Sequence, residues 1–302
     1  MSSDCPTTPR KGRKSAMLFP VLMVISMITW GGSWVSAKIL AQQLTPEMLS
    51  FWRFLLSFLS FIPFMFMLPR PVIITLKGSV YSVLGAVFMS LYMYFFFLGL
   101  EHWFAGHAGV LITSMIPLMT LIISLLFFRE RINTRKLVGL ALGMTGASIL
   151  LKIWTLDLQL FLSGNNILFI VCPVIWALLT ICSQRAAGSV SSYVFSFITF
   201  GLSTLFYLPW AASQGIWTVF EKDAIFWINL IFLSVISGTL ATTVYFVSAE
   251  RLGSYMTSSY VFLVPTSAML LSWFFLGEVP EPSTLIGGGI TIAAVYLINR
   301  GK

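Results

Sequence analysis

Charge almost vanishes from this sequence for about twenty residues at a time, the length of α-helix that crosses roughly 30 Å of hydrocarbon. Apolar runs lie near Leu18–Ala41, Met48–Leu68, Ser79–Leu100, Ala105–Phe128 and Thr134–Lys152. A polar break at Trp154–Asn166 is followed by runs near Ile167–Ala187, Ser192–Ser213, Ala224–Ala249, Gly253–Leu276 and Ser283–Asn299. In lipid every backbone N–H and C=O must be paired internally, which leaves only helices and closed barrels. The runs show no two-residue alternation and their connectors are short, so a barrel is excluded. The expectation is an all-α polytopic membrane protein with ten transmembrane helices; a count of eight or nine would need a re-entrant run. Composition agrees, since charged residues make up only 9% of the chain, against roughly 25% in a soluble domain. The net charge of +8 does not point to nucleic acid, because the basic residues fall in short clusters and form no stripe.

Those clusters set the expected orientation. Fourteen of the 18 Lys and Arg residues lie on one side: in the first sixteen residues, at Arg70 and Lys77, within Arg129–Lys136, and at Arg185, Arg251, Arg300 and Lys302. Two, Lys152 and Lys222, lie on the other side, while Lys38 and Arg53 fall within helices. Both termini are therefore expected in the cytoplasm, with the protein in the cell (inner) membrane. Residues 1–16, rich in Ser, Thr, Pro and basic side chains, read as a disordered cytoplasmic tail. The next run is too long for the apolar core of a signal peptide and lacks a small-residue cleavage site, so it reads as a retained helix. Cys5, Cys172 and Cys182 are odd in number and unpaired in spacing, which offers neither a disulfide framework nor a zinc pattern.

The chain also repeats itself. Pro117 precedes Glu130 by 13 residues and Gly139 follows nine later; Pro265, Glu278 and Gly287 reproduce both intervals at an offset of 148. Trp30 and Trp176 are 146 residues apart. The expected organisation is a first five-helix repeat over 17–153, an extracytoplasmic linker at 154–166 and a second five-helix repeat over 167–302. Five is odd, so the second copy enters the membrane from the opposite side. Inverted repeats characterise secondary transporters, which hold substrate near the midplane where the repeats meet.

Several motifs resemble a known family. Trp30-Gly31-Gly32-Ser33-Trp34 with Lys38, then Phe51-Trp52-Arg53-Phe54, look like the opening of an EamA unit. Ser114-Met115-Ile116-Pro117 leading to Phe128-Arg129-Glu130-Arg131 continues it, and Phe262-Leu263-Val264-Pro265 leading to Leu276-Gly277-Glu278 repeats it. Residues 18–299 are thus similar to the ten-helix branch of the drug/metabolite transporter superfamily, although Gln184 stands where a second Lys38 would fall. The resemblance implies a secondary transporter, most often an exporter, that moves a small metabolite, amino acid or drug by alternating access. Import or exchange is the alternative within the superfamily. A polytopic membrane enzyme would need clustered acids, histidines or a metal site. Asp4, Asp157 and Asp223 all lie outside the runs, so no catalytic residue, metal or cofactor is expected.

The expected substrate site lies between the repeats. Trp30, Ser33, Trp34 and Tyr92 would line it from the first copy, and Trp176, Thr180, Tyr245 and Tyr260 from the second. Tyr and Trp suit such a place because each combines an apolar face with one hydrogen-bonding tip. The competing reading is plain aromatic packing in a chain with 27 Phe, 10 Trp and 9 Tyr. Arg53 lies about 7–8 Å from the centre of its helix, where a cation must be paired or reach water. It is a further substrate-binding candidate, and its lack of an acid partner favours an anionic group on the substrate. Lys38 lies about 12 Å from the centre of the first helix, near enough for its stem to snorkel out. Pro117 and Pro265 each withdraw one helical hydrogen bond, from the carbonyls of Thr113 and Val261, and read as kinks or hinges. Gly139, Gly143 and Gly146 in helix five, and Gly287 to Gly289 in helix ten, form small-residue stripes suited to close packing or to a homodimer contact.

Overall fold

The computed structural model describes residues 12–66, 75–102, 105–128, 133–155, 168–276 and 282–300. Regular structure among them is entirely helical, and ten helical passes follow the ten apolar runs. The first five are α1 (Gly12–Ala41), α2 (Pro46–Phe66), α3 (Leu76–His102), α4 (Ala105–Phe128) and α5 (Thr134–Leu150). They are followed by α6 (Leu168–Ala186), α7 (Ser192–Ser213) and a three-part α8, which is α-helical at Ala224–Ile231, π-helical at Phe232–Ala241 and α-helical again at Thr242–Leu252. The ninth pass, α9, combines Ser254–Ser259, a 3-10 turn at Tyr260–Phe262 and Leu263–Leu276; α10 is Pro282–Asn299. Seven of the ten are long and apolar enough to cross a bilayer on length and composition alone. α1 begins at Gly12, so the expected tail boundary at residue 16 falls within a helix. Residues 1–11, most of the 154–166 linker, Glu130 and Glu278 lie outside the described residues.

Local sequence explains several helix ends. The side chains of Asn133, Ser191 and Asp223 accept from the first-turn amides of Arg135, Val194 and Phe226, satisfying donors that a helix start leaves free. Gly253 separates α8 from α9 with φ 90°, a conformation that a Cβ disfavours.

The helix pairing shows the duplication in three dimensions. α5 packs on α10 and α2 on α7, each against its own counterpart. α1 packs on α9 as α6 packs on α4, α3 on α6 as α1 on α8, and α2 on α8 as α3 on α7. Exchanging the halves therefore maps the contact pattern onto itself, the signature of two inverted repeats with an approximate twofold relation.

The glycine stripes are consumed inside the protomer. A Cβ on Gly146 would lie 2.8 Å from the Gly287 carbonyl oxygen, and one on Gly287 would lie 2.7 Å from the Gly146 carbonyl. Gly139 faces Ile298, Gly143 faces the Phe262 ring, and Gly288 faces Thr266. The stripes thus serve the close packing expected of them, and of their glycines Gly289 has open space beside it.

Candidate substrate site between the repeats

Where the halves meet, α1, α2, α3, α4, α6, α8 and α9 surround a cavity of about 40 Å³. That is room for water molecules but not for a metabolite. Two larger clefts, of about 570 and 500 Å³, are walled by exposed Ile, Leu and Phe side chains on the outside of the bundle. In a bilayer such clefts face acyl chains. All three spaces are bounded by both repeats; the inner cavity is the one that the duplicated tryptophans Trp30 and Trp176 line.

Its floor is an aromatic cluster around the duplicated tryptophans. The Trp30 and Trp176 rings meet edge to face at 5.2 Å, Tyr245 lies 5.1 Å from Trp30, and Tyr92 lies 4.7 Å from Trp176. Trp34 stands edge-on to Phe96 at 4.9 Å. Such pairs add about 0.5–1.5 kcal/mol each beyond the area they bury. Polar tips hold the rings in place. The Trp30 Nε1 donates to the Ser237 carbonyl at 3.4 Å, the Ser33 hydroxyl to the Trp30 carbonyl at 2.7 Å, and the Thr180 hydroxyl to the Trp176 carbonyl at 2.8 Å. Thr180 also shares a 3.0 Å bond with the Tyr245 hydroxyl.

Six of the nine expected residues line the cavity itself: Trp30, Ser33, Trp34, Arg53, Tyr92 and Trp176. Thr180 and Tyr245 stand one layer back, bracing the tryptophans rather than facing the space. Tyr260 is buried in the 3-10 turn of α9, where its neighbour Val261 takes the lining position instead. Sequence reasoning missed Thr113 and Ile116, and their duplicates Val261 and Val264. The signal was available, because each pair stands four and one residues before its proline. Ser237 and Thr242 were also missed; both belong to α8 at or beside its π-helical stretch.

The two prolines act differently. α4 continues through Pro117, with the Thr113 and Ser114 hydroxyls bonded back to the carbonyls of Gly109 and Val110. α9 instead tightens to a 3-10 turn before Pro265, and α8 widens to a π-helix opposite α2. There the Ser57 hydroxyl donates to the Ser234 carbonyl at 2.8 Å, and Thr239 donates to the Ser57 carbonyl at 3.1 Å. Non-α segments of this kind recur at functional sites and hinges.

The two intrahelical cations also part company. The Lys38 Nζ reaches the end of α3, where it donates to the Leu100 carbonyl at 2.5 Å in the last turn. Depth alone did not name this acceptor, one of the carbonyls that a helix end leaves free. Arg53 is buried, its Nη1 3.0 Å from the Met93 sulfur and its guanidinium carbon 5.9 Å from the centre of the Phe97 ring. Among the described residues no group of three or more His, Cys, Asp or Glu side chains could hold a metal ion.

This architecture has a counterpart among known proteins. The EamA-like transporter family matches the chain twice, over residues 17–152 and 165–300. The chain belongs to the EamA-like transporter family. It is an integral membrane protein built for transport. It is 29% identical over 292 residues to an uncharacterized transporter of Archaeoglobus fulgidus, covering 92% of this chain and 96% of that one. It is 28% identical to a probable terminal-alkyne amino-acid exporter of Streptantibioticus cattleyicolor, over 72% of each chain. An S-adenosylmethionine uptake transporter of Rickettsia bellii is 23% identical over 91% of each. One solved crystal structure shares the fold with a TM-score of 0.72 at 18% identity, covering 94% of this chain and 97% of that one.

Proposed function

We propose that this EamA-like protein is a secondary transporter that exports a small metabolite, amino acid or drug across the cell membrane by alternating access. Neither covalent chemistry nor a cofactor takes part. The observation that carries the reading is the cavity whose lining comes from equivalent positions of both repeats, Trp30 with Trp176 and Thr113 with Val261. A site on an approximate twofold is presented equally by either repeat, so rocking one against the other opens it to alternate sides. The contacts that would have to alternate join the repeats at both ends. At the end assigned to the cytoplasm, Ser124 and Ser254 hydroxyls bond at 2.9 Å, and Arg251 lies over Phe19 at 4.2 Å. At the opposite end Thr45 bonds Gln214, and Trp52 packs on Phe220 at 5.5 Å.

Direction is the part on which the relatives divide. The relative named as an exporter supports export, and those named for S-adenosylmethionine uptake favour import as the second reading. Metabolite profiles of cells and medium, with and without the protein, separate them. A solute that accumulates in the medium only when the protein is present supports export, one depleted from the medium supports uptake, and unchanged profiles contradict both.

A further inference from the structure

The cavity wall carries two buried hydrogen-bond donors that the protein leaves almost unanswered, one from each repeat. The first is Arg53, 7% exposed and facing the cavity from α2. A guanidinium offers five N–H groups and accepts none. Among the described residues its hydrogen-bond acceptor is the Met93 thioether, a weak one, and its other partner is the edge-of-range Phe97 ring. Among the acids whose side chains are described, Glu47, Glu221, Asp223 and Glu250 sit in the end turns or caps of helical segments, away from Arg53. The second donor is the Trp176 indole N–H, buried on α6; the Tyr245 hydroxyl, itself shared with Thr180, is close to it, but the pair falls short of hydrogen-bonding geometry. Its duplicate does not share this state, because the Trp30 N–H is engaged by the Ser237 carbonyl. A charge this deep is strongly disfavoured unless water or an anion meets it.

Resting on the central-site reading above, we infer that Arg53 and the Trp176 N–H anchor a carboxylate of the transported solute, whose apolar body lies among Trp30, Trp34 and Phe96. A carboxylate matches both donors: it takes two parallel bonds from a guanidinium and retains lone pairs for an indole N–H. The surrounding rings supply no competing acid and little polarity, so an organic cation would meet like charge at Arg53. The solute class is an organic anion or zwitterion with an apolar, preferably aromatic, portion. The present 40 Å³ cavity holds the anchors while the rings fill the space, so binding has to part the Trp30–Trp176 contact. Tryptophan fluorescence therefore reports it.

The test uses full-length purified protein in lipid nanodiscs, titrated with 3-phenylpropionate and with phenethylamine, which share a ring and differ in charge. The expected result is binding of 3-phenylpropionate at least about tenfold tighter than phenethylamine, the size of a charged hydrogen bond. Arg53→Gln should remove that preference, and Arg53→Lys should restore part of it, because an ammonium keeps the charge without the planar fork. Trp176→Phe should weaken the carboxylate alone, by severalfold. Failure of wild type to prefer the carboxylate, or an unchanged preference in Arg53→Gln, overturns the inference; should Arg53→Gln not fold, the wild-type preference and Trp176→Phe decide. Phenethylamine binding as tight as that of 3-phenylpropionate, and lost in Trp30→Ala, would overturn the anion anchor yet keep the central site. Probe binding insensitive to both Trp30→Ala and Trp176→Ala would overturn the site as well.

Discussion

Gly31 sits on α1 against α9, beside the cavity residue Trp30, and its replacement by Ala tests how tightly that seam is closed. The added Cβ would lie 2.4 Å from the Ser267 hydroxyl and 2.8 Å from the Ala268 backbone nitrogen, where ordinary contact starts at 3.4 Å. The hydroxyl can rotate away, but only by leaving the Met27 and Val264 carbonyls to which it is bonded at 3.1 and 2.9 Å. The backbone nitrogen cannot rotate, so the helices must separate. Overpacking of this kind costs about 1–3 kcal/mol, and the displaced hydrogen bond about 1 more. The better helix propensity of Ala returns up to about 1 kcal/mol, leaving a net loss of roughly 1–4 kcal/mol. Gly289→Ala is the internal control, since nothing lies within 4 Å of its Cβ. It should be neutral or gain about 0.5–1 kcal/mol. Unfolding midpoints of the two variants in mixed micelles, read by circular dichroism against wild type, give the comparison. Equal midpoints for Gly31→Ala and Gly289→Ala would show that α1 and α9 do not meet as described.

Two further outcomes follow from the site and the orientation. Trp30→Ala and Trp176→Ala should each abolish most transport of whichever solute the metabolite profiles identify, while the protein stays monodisperse in detergent; normal transport in both would move the site elsewhere, and aggregation of both would make the rings purely structural. A cysteine replacing Trp217, 74% exposed in the α7–α8 connection, should react with an impermeant maleimide in intact cells. Labelling only after lysis would reverse the assigned orientation.

The helices and their duplication were legible because hydropathy and spacing are properties of the chain itself. Ten runs with little charge needed no tertiary information, and the Pro117/Pro265 offset exposed the repeat directly. The site was legible as far as it lay on regular helix: Trp30, Ser33 and Trp34 occupy one stretch of α1, and all three reach the cavity. Tyr260 did not follow, because the 3-10 turn at Tyr260–Phe262 shifts the face that α9 presents. The π-helical part of α8 was unreadable for a related reason. Its run Phe232–Ala241 mixes apolar side chains with Ser, Gly and Thr and carries no helix-breaking signal, and the bonds to Ser57 that accompany the widening come from a helix some 180 residues away in sequence. Lys38 shows the same limit, since depth predicts that a stem can reach water but not that the end of α3 stands in its way. The glycine stripes announced close packing without naming the partner, which is a question of geometry between helices.

The central claim is that the cavity between the repeats opens to each side of the membrane in turn. Ser237 lines that cavity, is 1% exposed, and differs from cysteine by one atom. The direct measurement places Ser237→Cys in a background with Cys5, Cys172 and Cys182 replaced by Ala, then exposes right-side-out and inside-out membrane vesicles to an impermeant maleimide. Alternating access predicts slow labelling from both sides, with excess of a transported solute slowing each. Labelling from one side only, or from neither, would contradict it.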